Sequence, residues 1–339
     1  MHKFSEERIR EIAENISGKQ ILVLGDLMVD RYLWGKVTRI SPEAPVPIIN
    51  IAEEEVRFGG AANVANNLIN LGARPVLVGV VGNDPWGETF RRLLMEKDLP
   101  SLGLITDDSR PTTVKTRIIG NNQHVARVDR EQVRAIPDEV QQQLLEYVEK
   151  ILPDIDALIL QDYNKGVLTP QLVRKVIELA NGHKKIITVD PKFDNFLTFE
   201  NVTLFKPNKK ETEEALAVRI NSRDDLRRAG KKLFERMHPR SVLITLGEDG
   251  VALFENENDV VFMGTRARKV SDVSGAGDTV IATVTAALAG GAALKEAVTL
   301  ANFAAGIVCE EVGVVPIRKE KLIRSVLAHQ FGEEQGAPN

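Results

Sequence analysis

The chain has 339 residues, 43% of them hydrophobic, so it is long enough to bury a sizeable core. Its 44 basic and 48 acidic residues are interspersed, with a formal net charge of -4, and offer no broad basic surface for nucleic acid or anionic lipid. No stretch reaches the roughly 20 apolar residues of a membrane span, and residues 1–15 lack the apolar core of a signal peptide. We therefore expect a cytoplasmic protein that acts on small molecules.

Short apolar runs alternate with amphipathic helical segments along the chain. The run Gln20 to Gly25 is rich in β-formers and predicts a buried parallel strand. Further strands are predicted at 74–81, 157–160, 185–189 and 241–246, and helices at 61–71, 88–97, 138–152, 170–181 and 223–237. This alternation predicts an α/β fold with a mostly parallel sheet between helices, in one domain over 1–330 with a flexible tail at 331–339.

Two segments interrupt the alternation, at 31–56 and 112–129, where β-branched and polar residues alternate without an intervening helix. We expect them to form antiparallel strands of a small lid. An irregular surface loop is the alternative for 31–56, because Pro42, Pro45 and Pro47 would interrupt strand pairing.

The most informative motif is Asp-Val-Ser-Gly-Ala-Gly-Asp-Thr at 272–279, followed by an apolar helical run through Ala289. A glycine-bearing turn that opens a helix presents free N–H groups and the positive end of the helix dipole, which suits a phosphate. Asp278 would lie in the first helical turn. It could be a helix cap, or the carboxylate that accepts the proton of an attacking hydroxyl during phosphoryl transfer.

Residues 272–279 resemble the C-terminal signature of the ribokinase-like PfkB sugar kinases, and Phe-Gly-Gly-Ala-Ala-Asn-Val-Ala at 58–65 resembles their N-terminal signature. The resemblance covers about 20–316 and implies a three-layer α/β/α fold with a β lid, which often mediates dimerisation. It implies that Asp278 is the catalytic base and that the amides of Gly275, Ala276 and Gly277 hold the transferring phosphoryl group. The residues that it assigns to the sugar are Asp30, Gly59, Gly60 and Asn63.

The nucleotide side is also assigned by this resemblance. Asn208 and Glu211 match an Asn-x-x-Glu motif that organises Mg²⁺ and its waters around the phosphates of ATP, although alone they would form a helix capping box. The other residues implied for ATP are Lys209, Lys210, Thr245, Gly247, Gly250 and, beside the adenine, Asn302. Some relatives hold a monovalent cation, K⁺, and Asp272 and Ser274 are the positions for it here.

The amino-acid sequence of the lid and its flanks, at 25–32 and 39–47, resembles that of kinases of D-glycero-β-D-manno-heptose 7-phosphate in lipopolysaccharide-heptose synthesis. A phosphorylated substrate requires cations near the sugar, although each basic residue alone could equally be a solvated surface charge. The residues matched are Lys115, Arg117, Arg127, Asp129 and Lys192. The resemblance implies phosphorylation of the anomeric hydroxyl, to give the 1,7-bisphosphate and ADP. Because no nucleotidyltransferase sequence follows before Asn339, we expect a stand-alone kinase. The resemblance of the lid implies a homodimer formed through it.

Several alternatives remain open. The same ATP machinery could serve another sugar, such as fructose 1-phosphate, fructose 6-phosphate or ribose, and a non-catalytic sugar sensor could share the fold. A nicotinamide-dependent oxidoreductase should show Gly-x-Gly-x-x-Gly after the first strand, where only Gly25 is present. The single cysteine, Cys309, is expected to be a buried core thiol, with a catalytic thiol as the alternative.

Overall fold

The computed structural model of the chain describes residues 4–121, 123–266, 272–311 and 313–331. The strands are β1 Gln20–Gly25, β2 Leu27–Ile40, β3 Pro47–Gly60, β4 Arg74–Gly82, β5 Leu104–Asp107, β6 Thr113–Gly120, β7 Gln123–Arg130, β8 Ala157–Gln161, β9 Ile186–Asp190, β10 Leu204–Phe205, β11 Ser241–Thr245, β12 Val251–Phe254 and β13 Val260–Met263. The helices are α1 Glu6–Asn15, α2 Ala61–Leu71, α3 Pro85–Glu96, α4 Asp138–Ile151, α5 Pro170–Gly182, α6 Lys209–Leu216, α7 Arg223–Met237, α8 Ala276–Ala289, α9 Leu294–Cys309 and α10 Lys319–Phe331. The predicted tail lies, apart from Phe331, outside the described residues.

The main sheet has nine strands in the order β13-β12-β11-β10-β9-β8-β1-β4-β5. Its pairs are parallel from β11 through β5, whereas β12 and β13 run antiparallel at one edge. The strand order reverses between β1 and β8, since β4 and β5 follow on one side of β1 and β8 to β11 on the other. In open parallel sheets, ligands bind outside the carboxyl ends of the strands at such a reversal.

Helices cover both faces of this sheet because its strands are apolar on both faces. In β1, Ile21 and Val23 belong to one hydrophobic cluster with residues of α1, α2, α8, α9 and α10. Leu22 and Leu24 belong to a second cluster with residues of α4, α5, α6 and α7. Successive side chains of a strand point to opposite faces, so the alternation places one helical layer on each side. The predicted three-layer α/β/α fold is thereby confirmed.

Element bounds follow the sequence pattern most closely where the apolar period is strong. The helices α2 and α7 and the strand β1 have the bounds that were predicted. Cys309 departs from its prediction: it is the last residue of α9 and is only partly buried, although Ile307 and Val308 before it are in the core. No helix in the described part of the chain combines the length and apolarity needed to cross a membrane.

The two interrupting segments form one four-stranded sheet, in the order β3-β2-β6-β7, which we call the lid. Its hairpins β2-β3 and β6-β7 are antiparallel as predicted, but the central pair β2-β6 is parallel. The irregular-loop alternative for 31–56 is wrong. Pro42 and Pro45 lie in the connection between β2 and β3, and Pro47 is the first residue of β3, where a missing N–H is tolerated.

Asp26 occupies the one position between β1 and β2 and is 1% exposed. Its Oδ2 accepts the backbone N–H groups of Tyr163 at 2.8 Å and Lys165 at 3.1 Å, and its Oδ1 accepts that of Val167 at 3.1 Å. Its backbone carbonyl accepts the N–H of Ala61, the first residue of α2. One buried residue therefore fixes the loop after β8 and the start of α2.

We predict that Asp26→Asn lowers the free energy of unfolding. The substituted amide places an N–H₂ group where the carboxylate accepts, so at least one buried backbone N–H loses its partner, a loss of about 1–3 kcal/mol. Urea denaturation at neutral pH measures it, with the exposed Asp108→Asn as the matched control. Equal or higher stability of Asp26→Asn would mean that the cost of burying a charge there exceeds the value of the three amide bonds.

Candidate active site

Polar residues collect where the parallel strands end. Asp26 follows β1, Asp162 and Tyr163 follow β8, Asp190 ends β9, and Lys206 follows β10. Because carboxyl ends of parallel strands meet at one edge of the sheet, these residues lie together. The lid stands at this same edge, since β2 begins two positions after β1 ends.

The turn before α8 brings a further carboxylate to this edge. Gly275 is the N-cap of α8 with φ 78°, a left-handed conformation that favours glycine. A Cβ there would also lie 3.1 Å from Val314 Cγ1 and 3.2 Å from Asn63 Nδ2. Asp278 is the third residue of the helix and is 6% exposed. The turn opening a helix was therefore predicted correctly from the glycines.

The Asp278 carboxylate is held by three side chains from other elements. Asn63 of α2 donates to Oδ2 at 2.7 Å, whereas the Tyr163 hydroxyl donates to Oδ1 at 2.5 Å and Gln161 Nε2 to the same oxygen at 3.3 Å. The N-terminus of α8 receives no side-chain cap from its N-cap residue, Gly275. The carboxylate is thus directed across the site by α2 and the end of β8.

Burial raises the pKa of Asp278 to about 6, and the nearby negative charge of Asp190 adds to the rise. The hydrogen bonds from Asn63 and Tyr163 and the positive charge of Lys206 oppose it. A carboxylate with this pKa is ionised at neutral pH and is a stronger proton acceptor than an exposed one.

A buried ion pair continues the polar cluster behind Asp278. Lys206 Nζ lies 3.0 Å from Asp190 Oδ2, with both side chains almost fully buried. Gln161 Nε2 also donates to Asp190 Oδ2, at 3.2 Å, so this amide links the two carboxylates. A Cβ on Gly277 would lie 3.7 Å from both Asp190 Oδ2 and Lys206 Nζ, an ordinary contact distance, so the first turn of α8 packs directly beside the pair.

Four residues of this cluster were not predicted as site residues: Gln161, Tyr163, Asp190 and Lys206. Gln161, Tyr163 and Asp190 lie at or just after the ends of predicted strands, whereas Lys206 follows β10, a strand that was not predicted. Position relative to the strand ends was the signal that could have found the first three.

The residues predicted to bind the sugar lie near one another where α2 begins and where β2 leaves the main sheet, at the base of the lid. Arg117 donates to Asp30 Oδ1 at 2.6 Å, and its guanidinium lies 5.2 Å from the centroid of the Tyr32 ring. A Cβ on Gly59 would lie 2.8 Å from Asp30 Oδ2, so the glycine makes room for that carboxylate. Gly60 has φ 59° and is the N-cap of α2, which presents Asn63 to Asp278.

The predicted cations lie around Tyr163 and along the lid. The ammonium groups of Lys115 and Lys192 are each 5.8 Å from the Tyr163 ring centroid. Arg127 and Asp129 form an ion pair on β7, where Arg127 pairs in register with Arg117 and Asp129 with Lys115. The Arg127 side chain is 60% exposed, so the structure buries Lys115, Arg117 and Lys192 more deeply than this lid edge.

The pKa values of Lys115 and Lys192 are shifted in opposite directions. Burial lowers the pKa of Lys115, and the positive charge of Lys165 lowers it further. Burial also disfavours charged Lys192, but Asp190, the ion pair with Glu211 and Asp278 outweigh it and raise its pKa to about 12. Lys192 is therefore a firmly charged cation close to Asp278.

The Asn208 to Glu211 segment forms the capping box that the sequence predicts. Asn208 Oδ1 accepts the Glu211 N–H and Glu211 Oε2 accepts the Asn208 N–H, both at 2.8 Å. Glu211 Oε1 is paired with Lys192. Magnesium in phosphate-transfer sites keeps several waters and takes one or two carboxylates. Glu211 fits an outer role of this kind because each of its oxygens has a lone pair left for a water.

One predicted nucleotide residue, Lys209, lines a cavity, and several others are neighbours in the chain of its lining residues. Thr245 pairs with Asn208 across a parallel bridge, and Leu246 N–H bonds to the Gly250 carbonyl at 2.8 Å. The neighbouring cavity has a volume of about 340 Å³. Its lining residues are Lys209, Ile220, Asn221, Ser222, Arg223, Leu226, Leu246, Asp249, Phe262 and Gly264. Asn302 reaches its edge by donating to the Gly264 carbonyl at 2.8 Å.

The remaining predicted positions are less central. Gly247 and Gly250 both have positive φ, 63° and 91°, as a tight loop requires. Lys210 is exposed, with its ammonium 3.7 Å from Glu214 on the same helix.

The proposed K⁺ position has its carboxylate already engaged. Asp272 Oδ1 accepts the Ser274 N–H at 2.8 Å and Oδ2 the Gly313 N–H at 3.1 Å. No group of three or more His, Cys, Asp or Glu side chains suited to a metal occurs within 4–121, 123–266, 272–311 and 313–331. The K⁺ site stays a prediction.

We predict that the raised pKa of Asp278 makes the folded state less stable as pH rises. Its folded pKa of about 6 exceeds the ordinary 3.8, so its contribution is fully present below about pH 4 and lost as pH rises through 6. Asp278→Asn removes this dependence. The free energy of unfolding of the variant, relative to wild type, should therefore rise by roughly 2–3 kcal/mol between about pH 4 and 6.5. Urea denaturation across that range measures it, and a difference that stays constant with pH would contradict it.

Comparison with known proteins gives a consistent picture of the family. The sequence matches the pfkB family carbohydrate kinases over residues 19–320. It is 45% identical over 295 residues to the Bifunctional protein HldE of Helicobacter pylori strain Shi470, covering 87% of this chain and 64% of the relative. It is 40% identical over 312 residues to the protein of the same name from Geobacter sulfurreducens, covering 92% and 64%. The chain thus spans less than two thirds of the length of these relatives.

Solved structures share the fold at low sequence identity. Phosphofructokinase-2 from Escherichia coli, in complex with potassium, superposes with a TM-score of 0.76 at 19% identity, covering 93% of this chain and 99% of that one. Arabidopsis thaliana ribokinase, complexed with ribose and ATP, gives 0.70 at 16% identity, covering 91% and 99%. With the match over 19–320, these findings show that the chain belongs to the pfkB family and is a carbohydrate kinase.

Proposed function

We propose that this kinase transfers the γ-phosphoryl group of ATP to the anomeric hydroxyl of D-glycero-β-D-manno-heptose 7-phosphate, giving the 1,7-bisphosphate and ADP. The observation that carries the proposal is the placement of Asp278, buried at the N-terminus of α8 and held by Asn63, Tyr163 and Gln161. The same reaction would serve ADP-heptose formation for lipopolysaccharide in the cytoplasm, where ATP is available.

In the proposed reaction, Asp278 accepts the proton of the anomeric hydroxyl while the oxygen of that hydroxyl forms a bond to the γ-phosphorus. The bond from that phosphorus to the bridging oxygen of ATP breaks, and ADP leaves. The amides of Gly275, Ala276 and Gly277, at the positive end of α8, would stabilise the charge on the transferring group. Magnesium, when bound with ATP, would neutralise phosphate charge, and Glu211 and Asn208 would hold its waters.

The charges around Tyr163 support a phosphorylated sugar. Lys115 and Lys192 flank its ring, and Arg117 lies beside Asp30 at the lid base. We propose that Asp30 and Asn63 bind sugar hydroxyls and that the lid cations bind the 7-phosphate, with Arg127 and Asp129 at the outer edge. Partly buried cations interact with a phosphate more strongly than exposed ones, because solvent screens them less.

The nucleotide would occupy the cavity beside α6 and β13. Lys209, Leu246 and Gly264 line it, and Thr245, Gly247 and Gly250 form the adjacent loop. In this position the phosphates of ATP would point toward Asn208 and Glu211, and so toward α8. Glu211 is joined to Lys192, and Lys192 is close enough to Asp278 to be influenced by its charge.

The relatives are named as bifunctional, and the proposal covers only the kinase activity, since this chain matches 64% of their length.

We further propose a homodimer through the lid. Large apolar side chains are exposed at the tip of the β2-β3 hairpin, Ile40 at 60% and Val46 at 52%, and on β7, Val128 at 57%. Pairing with a second copy would remove such side chains from water. Light scattering at micromolar concentration should give about twice the 37.4 kDa mass of the chain, and a monomer at that concentration would remove the proposal.

We predict turnover confined to the heptose phosphate when ADP release is measured with Mg-ATP. The panel contains heptose 7-phosphate, the unphosphorylated heptose, fructose 1-phosphate, fructose 6-phosphate and ribose. Asp278→Asn should lower kcat by at least about 100-fold, the size of a general-base contribution. Turnover with another sugar would keep the kinase and discard the heptose assignment, whereas undiminished turnover by Asp278→Asn would discard the base.

A matched pair of lysine variants separates substrate recognition from general effects on charge. Lys115→Met should raise KM for the sugar phosphate while leaving KM for ATP unchanged. Lys231→Met, at an exposed position on α7, is the control that removes the same charge outside the predicted site. Equal effects of both variants on the sugar KM would contradict the assignment of Lys115.

A further inference from the structure

Tyr163 has an unusual set of contacts for a residue in a loop after a strand. Its hydroxyl donates to Asp278 Oδ1 at 2.5 Å, and its ring lies 5.8 Å from the ammonium groups of both Lys115 and Lys192. Its backbone N–H is bound by the buried carboxylate of Asp26 at 2.8 Å. The side chain is therefore held at both ends, and it touches the carboxylate and the cations together.

The two oxygens of Asp278 receive different donors. Asn63 occupies a lone pair of Oδ2 at 2.7 Å, and Tyr163 occupies one of Oδ1 at 2.5 Å. Donors on both oxygens fix the plane of a carboxylate, which a single donor would leave free to rotate. Gln161 adds a longer bond of 3.3 Å to Oδ1. Tyr163 is thus the short, strong donor on that side.

We propose that Tyr163 is a positioning residue of the phosphoryl transfer, whose hydroxyl orients Asp278 and whose ring sets the place of Lys115 and Lys192 relative to it. The proposal rests on the role of Asp278 as base. A single aromatic side chain would then fix the distance between the carboxylate that takes the proton and the cations that face the anionic substrate.

The two parts of Tyr163 have separable effects. A phenol that donates to a carboxylate stabilises its ionised form, and this bond is one of the influences that lower the pKa of Asp278. A ring beside two ammonium groups interacts with them through its π face. Tyr163→Phe removes the hydroxyl and keeps the ring, whereas Tyr163→Leu removes both.

The other charged groups that face Asp278 stay in place in these variants. Asp190 from β9 raises its pKa, Lys206 after β10 lowers it, and Lys192 carries its positive charge nearby. Asp30 and Asp190 face Tyr163 itself. A shift seen in Tyr163→Phe is therefore assigned to the lost hydroxyl.

The experiment is the pH profile of kcat/KM for the sugar phosphate in wild type, Tyr163→Phe, Tyr163→Leu and Asp278→Asn. Because Asp278 loses the short donor that stabilises its charged form, Tyr163→Phe should move the acid limb upward by roughly one pH unit or more. Activity should recover at high pH, where Asp278 is ionised without help. Tyr163→Leu should add a higher KM for the sugar phosphate, and Tyr147→Phe, on α4, should leave the profile unchanged.

The outcomes separate the two proposals. If Asp278→Asn keeps its activity, the base assignment fails whatever Tyr163 does. If Asp278→Asn is inactive and the Tyr163→Phe profile has the wild-type acid limb, or falls equally at every pH, the inference about Tyr163 is overturned.

A second measurement leaves the fold almost unchanged. The chain has three tyrosines, and replacing them with 3-fluorotyrosine makes each phenol a stronger donor with little change in size. The acid limb should then move to lower pH. An acid limb that stays in place would overturn the inference even if Tyr163→Phe failed to fold.

Discussion

The site depends on the hydrogen bonds that Asp26 accepts. The carboxylate of Asp26 accepts three backbone N–H groups from the loop after β8, and the backbone carbonyl of the same residue receives the start of α2. Asn63 on α2 and Tyr163 in that loop are the two short donors to Asp278. The geometry of Asp278 is therefore set by a residue that does not touch it. Burial raises the pKa of Asp26, whereas the three amides and the positive charge of Arg110 oppose the rise. The molecule therefore carries a desolvation cost at this point that the ordered loop largely offsets.

A second carboxylate is buried for a different reason. Asp278 is surrounded by neutral donors and has no direct ion pair within the described residues, so its charge is incompletely compensated and its pKa rises to about 6. The pair of Lys206 and Asp190 beside it is compensated. Two aspartates in one cluster therefore have different roles: one is neutralised by a lysine, whereas the other is free to gain a proton. A buried carboxylate with a raised pKa, in a cluster of charged groups, is typical of a functional site.

The sequence predicts the fold well because both of its main signals are local. Apolar runs and helical periods give β1, α2 and α7 their bounds, and glycines mark the turn before α8. It predicts the site in part. Asp278, Asn63 and Asp30 come from motifs, but Gln161 and Tyr163 sit in no motif, since their roles arise from which strands become neighbours. The parallel pairing of β2 with β6 was missed for the same reason: strand order is a property of long-range packing, which periodicity does not encode.

The strand β2 changes character along its length. Its first residues, from Leu27 to Asp30, are buried, while its last four, from Val37 to Ile40, are partly or fully exposed. The strand is held in the core at its root, the end that carries Asp30, and beyond Gly35 its tip pairs with β3 but no longer with β6. Backbone with few buried contacts opens more easily than backbone in the core. The tip can therefore meet a partner or change its surface while the chemistry at the root keeps its alignment.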